Sequence, residues 1–342
     1  MAKLLTNYCL GIESTAHTFG IGIVDFEGIV HSLINDVFIP EEGGLHPALV
    51  REQHLNNFKD VISKALVEAN LSIKDINLIA FSQSPGLGPI LKIGALVARM
   101  LSQSLKIPLV GVNHCIAHVE IGRLMCKIED PLTLYVSGGN TIVSAFESNR
   151  YQIFGETLDL AVGNMIDSFA RDAGLKHPGG PKIEKLAIKS KNYLQLPYIV
   201  KGMDLSFSGL YSATKRLLES KDYNNKYNLN DISYSLQETA FSMLVEVTER
   251  ALAHTEKEEV LLTGGVAANK RLQQMVQSIS VEHNARFEVV PLKYAGDNGV
   301  MIAWTGILRY LSKGGHKLAE TMIKPKERMD NIEIPWRSDG SK

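Results

Sequence analysis

The sequence predicts an α/β protein in which one β-β-β-α-β-α-β-α unit is used twice. Two observations carry this reading. Apolar runs of strand length alternate with segments of helical period, and the same order of elements starts again at about residue 131. A third agrees with them: tight glycine turns follow apolar strands at 84–89 (SPGLGP), 137–140 (SGGN) and 263–269 (TGGVAAN).

In the first copy, residues 8–38 read as three strands: 8–13, 18–24 and, after a Glu27-Gly28 turn, 29–38. A helix from about Pro47 to Ala69 follows, with proline in its first turn and Ala, Leu and Val at helical spacing. Then come a continuous apolar strand at 76–81, a helix at 90–105, a strand at 109–112 and a helix opening at His114. In the second copy, strands at 132–136, 141–146 and 151–157 are followed by a strand at 260–262, a helix from Asn269, a strand at 287–290 and a helix from about Asp297. The second copy alone carries a long insertion, about 160–235, rich in helix signals and glycine turns, a length typical of a lid or subdomain. This is the layout of the duplicated actin-like/hexokinase-like ATPase (ASKHA) fold, with a nucleotide between two lobes. The expected division is an N-terminal lobe at 1–130, a C-terminal lobe at 131–315 containing the insertion, and a tail at 316–342. Fold alone does not give function.

With 45% hydrophobic and 21% charged residues, disordered and fibrous classes are excluded. The net charge of −1 provides no global cationic field, so any polyanion must be held by a local patch or by partners. No apolar run reaches the roughly 18–20 residues of a membrane span, and residues 1–7 lack the apolar core of a signal peptide. Three cysteines without C-x-x-C spacing (Cys9, Cys115, Cys126) fit a reducing compartment, so a cytoplasmic protein with free thiols and no membrane partner is expected.

The most informative stretch is 114–118 (HCIAH), because residues at i and i+4 on a helix face the same way and both imidazoles can reach one ion. A zinc peptidase needs a glutamate general base at 115, where this chain has Cys115. The duplication sets Asp297, at the start of the pseudo-equivalent helix of the second half, opposite His114 across the cleft. Two imidazoles and one carboxylate suit iron or zinc and leave positions open for substrate. The bland alternative makes Asp297 a helix N-cap before Asn298-Gly299. Tyr135, just before the second glycine turn, offers a phenolic oxygen to the ion or is a buried strand tyrosine.

Glycine at strand ends lets backbone N–H groups approach phosphate, and the helices after 89 and 266 offer positive dipole ends. No P-loop motif is present. Ser137 lacks a nucleophile elbow and reads as a phosphate or substrate hydrogen bond. Asp167 and Glu184 are candidate acceptors for ribose hydroxyls, or surface charge paired at i,i+4 with Arg171 in the case of Asp167. The segment 203–210 reads as a lid element, and Lys182, Lys185, Lys189 and Lys191 as a phosphate patch or a solvated face.

Together, 11–20 (GIESTAHTFG), 84–89, 113–118 (NHCIAH), 135–139 (YVSGG), the Asp167 helix, 179–184 (GGPKIE), 206–209 (SFSG), 236–241 (LQETAF), 264–269 (GGVAAN) and 297–299 (DNG) resemble the catalytic subunit of the archaeal and eukaryotic KEOPS complex, related to bacterial TsaD. The resemblance extends to about residue 335. Ser14, where archaeal members carry glycine, and residues 48–54 (ALVREQH) depart from it. It implies transfer of a threonylcarbamoyl group from threonylcarbamoyl-adenylate to N6 of the adenosine just 3′ of the anticodon in tRNAs reading codons that begin with A. It also implies metal ligation by His114, His118, Tyr135 and Asp297, with Fe2+ as the ion and Zn2+ or another divalent cation as the substitute. The adenine nucleotide would be held by Tyr135, Val136, Ser137, Gly138, Gly139, Asp167, Gly180, Glu184 and Asn269. The implied partners are tRNA, a kinase-like ATPase, a small dimerising subunit and a separate threonylcarbamoyl-adenylate synthase. The linker-like end, 335–342, fits a chain cut from a fusion with the kinase. Two rival functions are an ATP-switched, non-catalytic assembly subunit and a metallo-glycoprotease, the latter opposed by Cys115.

Overall fold

A computed structural model describes residues 7–39 and 46–337; Met1–Thr6 and the last five residues of the expected tail lie outside these. Two compact units form: residues 1–125, 147–151 and 297–342 make the first, and 126–146 and 152–296 the second.

The first unit holds strands β1 (Tyr8–Glu13), β2 (Thr18–Asp25) and β3 (Val30–Val37), helix α1 (Pro47–Glu68), strand β4 (Ile76–Ser84), helix α2 (Gly88–Leu105), strand β5 (Leu109–Asn113) and helix α3 (His114–Cys126). Its sheet runs β3-β2-β1-β4-β5, antiparallel across β1–β3 and parallel across β1, β4 and β5. In the second unit, β6 (Leu132–Val136), β7 (Thr141–Glu147) and β8 (Arg150–Glu156) lead into the insertion. There lie α4 (Val162–Asp172), α5 (Gly180–Ala187), the short hairpin β9 (Val200–Lys201) and β10 (Asp204–Leu205), and α6 (Ser208–Leu218). Next come α7 (Leu229–Thr255), β11 (Glu259–Thr263), α8 (Lys270–Glu282), β12 (Arg286–Val289) and α9 (Leu292–Ala295). The second sheet, β8-β7-β6-β11-β12, repeats the order of the first. The duplication expected from the sequence is therefore present strand for strand. Its crossover helix, the 27-residue α7, overlaps the end of the region expected to be insertion.

The last helix, α10 (Gly299–Lys313), departs from expectation. The duplication assigns it to the second half, yet Asp297 and the described residues after it belong to the first unit, and α10 packs on β1 and β2. Glycine is the physical reason. A Cβ on Gly11 would lie 2.2 Å from the Gly299 carbonyl oxygen, and one on Gly22 would lie 2.2 Å from the Val300 nitrogen. Helix and sheet thus meet backbone to backbone, an approach no side chain allows.

Strand alternation settles which residues face α10. Leu10 and Ile12 pack with Ile93, Val97 and Ala98 of α2, while Gly11 turns the other way onto α10. Glu13, two residues beyond Gly11, shares the α10 face. In the second unit the core joins Leu132 and Leu134 of β6 to Phe169, Phe207, Phe241 and Leu244.

Candidate metal centre and glycine turns

Helix α3 begins directly at the end of β5. The Asn113 side-chain oxygen accepts the backbone N–H groups of Cys115 (3.0 Å) and Ile116 (3.2 Å), so Asn113 caps the helix. One turn apart on it, His114 and His118 bring their Nε2 atoms to 3.2 Å of each other. Asp297 completes the set, its Oδ1 lying 3.4 Å from His114 Nε2 and 3.3 Å from His118 Nε2. The three donor atoms lie within 4.8 Å of one another, a cluster that can hold a metal ion. All three residues come from the first unit, which corrects the expectation that the second half supplies Asp297.

Asp297 is not the cap of α10. Asn298 is: its side chain accepts the Met301 N–H at 3.0 Å, and Asp297 is left to turn its carboxylate to the imidazoles. Asn35 of β3 donates to the Asp297 carbonyl at 3.1 Å, fixing the backbone behind the ligand.

The sequence reading did not assign a role to Glu13. Fully buried, it accepts the His114 Nδ1 proton through Oε2 at 3.0 Å and the Thr15 N–H through Oε1 at 2.8 Å. With the carboxylate oxygen as acceptor, Nδ1 is the donor and the Nε2 lone pair points at the cluster. That is the usual outer support of a metal-ligating histidine. The available signal was the alternation that sets Glu13 on the glycine face of β1.

Burial would raise the Asp297 carboxyl, but the two imidazoles outweigh it and hold the group well below the ordinary carboxylate range. Burial lowers His118, with the Asp297 hydrogen bond pulling the other way. The His118 shift favours a lone-pair imidazole and the Asp297 shift an ionised carboxylate, the forms in which these groups bind a metal. Burial pushes the Cys115 thiol up to about 11, so without a metal it stays protonated at neutral pH.

Tyr135 belongs to the second unit, buried at the end of β6, with its hydroxyl accepting from Asn140 Nδ2 at 3.4 Å. Val136 and Ser137 follow it into a turn whose N–H groups at 139 and 140 reach the Ser137 hydroxyl oxygen at 3.2 and 3.0 Å. Gly138 and Gly139 have open space where a Cβ would stand. Asp167 of α4 accepts the Gly179 N–H at 2.8 Å and lies 3.7 Å from His177 Nδ1, so it shapes the turn into Gly180 and α5. Glu184, one turn into α5, accepts the Lys270 N–H at 2.7 Å. Asn269 caps α8 through the N–H groups of Arg271 (2.9 Å) and Leu272 (3.3 Å) and donates to Gln237 at 2.9 Å. Asp167, Gly180, Glu184 and Asn269 are thereby linked through α5 and the start of α8.

The segment 203–210 is organised by a carboxylate the sequence reading did not name. Asp159 accepts the Phe207 N–H (2.9 Å), the Ser208 N–H (3.2 Å) and the Ser206 hydroxyl (2.6 Å) at the start of α6. Lys185, Lys189 and Lys191 are exposed and Lys182 is half-buried, its ammonium donating to the Lys176 carbonyl at 2.5 Å.

Residues 28–304 match the TsaD family, described as tRNA N6-adenosine threonylcarbamoyltransferase. This chain belongs to that family. It is 52% identical over 327 residues to the tRNA N6-adenosine threonylcarbamoyltransferase of Thermococcus sibiricus, covering 96% of this chain and 99% of the relative. It is 54% identical over 328 residues to a probable bifunctional tRNA threonylcarbamoyladenosine biosynthesis protein of Methanothermobacter thermautotrophicus, covering 96% of this chain but 60% of that protein. The chain thus spans about 60% of the length of the bifunctional relatives it matches and nearly all of the single-function ones. Among solved structures, Thermococcus kodakarensis HypF aligns with a TM-score of 0.61 at 16% identity, over 90% of this chain and 48% of HypF. Component A of the Acidaminococcus fermentans (R)-2-hydroxyglutaryl-CoA dehydratase aligns at 0.56 and 14%, over 89% of this chain and 99% of component A. These likenesses place the TsaD-family chain in the actin-like/hexokinase-like fold expected from the sequence. Among the described residues, no helix is long and apolar enough to cross a membrane.

Proposed function

We propose that this chain transfers the threonylcarbamoyl group of threonylcarbamoyl-adenylate to N6 of the adenosine just 3′ of the anticodon in tRNAs reading codons that begin with A. The observation that carries the reading is the cluster His114, His118 and Asp297, supported by Glu13, in a chain 52% identical to a threonylcarbamoyltransferase over nearly its whole length.

The exocyclic amine of adenine is a poor nucleophile because its lone pair is delocalised into the ring, so the acyl donor must arrive activated, as an adenylate is. His114, His118 and Asp297, with Tyr135 as a fourth ligand, would hold the metal. The two-imidazole, one-carboxylate set suits Fe2+, with Zn2+ as substitute. A divalent ion held there would supply Lewis-acid chemistry. Glu13 keeps the His114 proton on Nδ1 throughout. The open turn from Tyr135 through Val136, Ser137, Gly138 and Gly139 would receive phosphate oxygens on backbone N–H groups. The carboxylates of Asp167 and Glu184 keep acceptor positions beyond those already used and would take ribose hydroxyls, with Gly180 and Asn269 completing the adenylate site. The target base, in a single-stranded loop, is splayed out of the stack to react.

Work inside a KEOPS-type assembly, with a kinase-like ATPase, a small dimerising subunit and a separate synthase for the adenylate, belongs to the same reading, as does a cytoplasmic location. The bifunctional names of relatives that extend well beyond this chain's length support a second activity acting alongside it. Labelling of tRNA with radioactive threonine in the presence of bicarbonate, ATP, the synthase and the partner subunits tests the proposal. His114→Ala combined with His118→Ala should abolish labelling; full labelling by that variant would overturn the catalytic metal.

A further inference from the structure

Helix α3, which carries both imidazoles, is gripped from behind by the segment that follows α10. Glu120 lies two residues past His118, roughly 200° round the helix from it. Its carboxylate is fully buried. Oε1 accepts the Tyr151 hydroxyl at 2.6 Å and the Trp336 indole N–H at 2.9 Å, and Oε2 accepts from Arg123 at 2.6 Å. Arg337 seals the outer side, donating to the Tyr151 hydroxyl at 3.2 Å with its guanidinium 5.5 Å from the ring centroid. At the other end of the helix, the capping residue Asn113 donates to the Glu327 carbonyl at 3.3 Å. The same segment therefore touches α3 at its cap and at the back of its middle turn. The segment lies beyond the residues that match the family.

We infer that Trp336 and Glu120 are positioning residues for the metal centre: the segment 327–337 braces α3 and sets where His114 and His118 stand against Asp297. The inference rests on reading the His114, His118 and Asp297 cluster as a metal site. A buried carboxylate that loses a donor draws on those left to it, here Tyr151 and Arg123, and the helix that carries it is free to settle toward them. The imidazoles move with the helix, and so change their distances to the Asp297 carboxylate.

The test uses the full chain and cobalt(II) as probe, with binding read from its ligand-field absorption and folding from a thermal melt. Trp336→Phe keeps the ring and removes the N–H donor; it should weaken cobalt affinity by about tenfold, at the low end of outer-support effects, and alter the absorption envelope. Glu120→Leu, which removes the acceptor itself, should act in the same direction, and the double variant should be little worse than the worse single one, because both cut the same Trp336–Glu120 bond. If those variants do not fold, Glu120→Gln, which keeps a weaker, neutral acceptor for the indole and the phenol and loses the one for Arg123, carries the test with a smaller loss of affinity in the same direction. Wild-type affinity and spectrum in the folded variants, even with a lowered melting temperature, would overturn the brace and leave the metal site standing. A wild-type chain that binds no cobalt would overturn the metal reading and the brace with it.

Discussion

Glu13 and His114 form a buried carboxylate–imidazole pair, Oε2 to Nδ1 at 3.0 Å, between the last residue of β1 and the first of α3. It joins two elements 101 residues apart in the chain and fixes which nitrogen of His114 bears the lone pair. Removing the acceptor with Glu13→Ala should lower metal affinity about 10–100-fold, with Glu13→Gln between that variant and wild type. Metal titration of the purified variants checks this, and unchanged affinity in Glu13→Ala would show that His114 needs no outer support.

Asp297 and Asn298 are neighbours with opposite jobs, and substitution separates them. Asp297→Asn should lose the metal while leaving the fold largely intact. Asn298→Ala removes the cap of α10 and should cost about 1 kcal/mol of stability, with the three ligand side chains retained. Metal content by elemental analysis and urea unfolding, measured on both variants, should move in this crossed pattern.

The contact of α10 with the sheet leaves no room for a methyl group. Gly22→Ala places a carbon 2.2 Å from the Val300 nitrogen, a backbone atom that cannot yield without moving the helix. About 3 kcal/mol or more of destabilisation is expected. Gly138→Ala, in open space, should change stability by no more than about 0.5 kcal/mol. Equal urea midpoints for the two variants would contradict the close approach.

Acid should loosen the start of α6. Burial would raise Asp159, but hydrogen bonds from Ser206, Ser208, Phe207 and Leu160 outweigh it and hold the carboxyl below its ordinary range. A carboxyl whose folded pKa is depressed contributes stability above its unfolded value, about 3.9, and loses it as pH falls through the folded value. Below about pH 4 the wild type should therefore lose stability more steeply than Asp159→Asn. Parallel pH profiles of the melting temperature would remove Asp159 from that role.

The sequence by itself determined the repeated unit, because period-two and period-3.6 apolar patterns are local and both copies carry them. It determined the pairing of His114 with His118 for the same reason: four residues on a helix is one turn, whatever the surroundings. Which unit supplies Asp297 was decided only in three dimensions, by glycines at 11, 22 and 299 that let α10 close onto the first sheet. Symmetry between the copies pointed to the second half, since a repeat predicts equivalent elements but not the sheet each one packs on. Glu13, Asp159 and Glu120 were likewise invisible as partners. A carboxylate acquires a role from the donors that folding brings to it, and for these three the decisive donors lie 48 to 216 residues away in the chain.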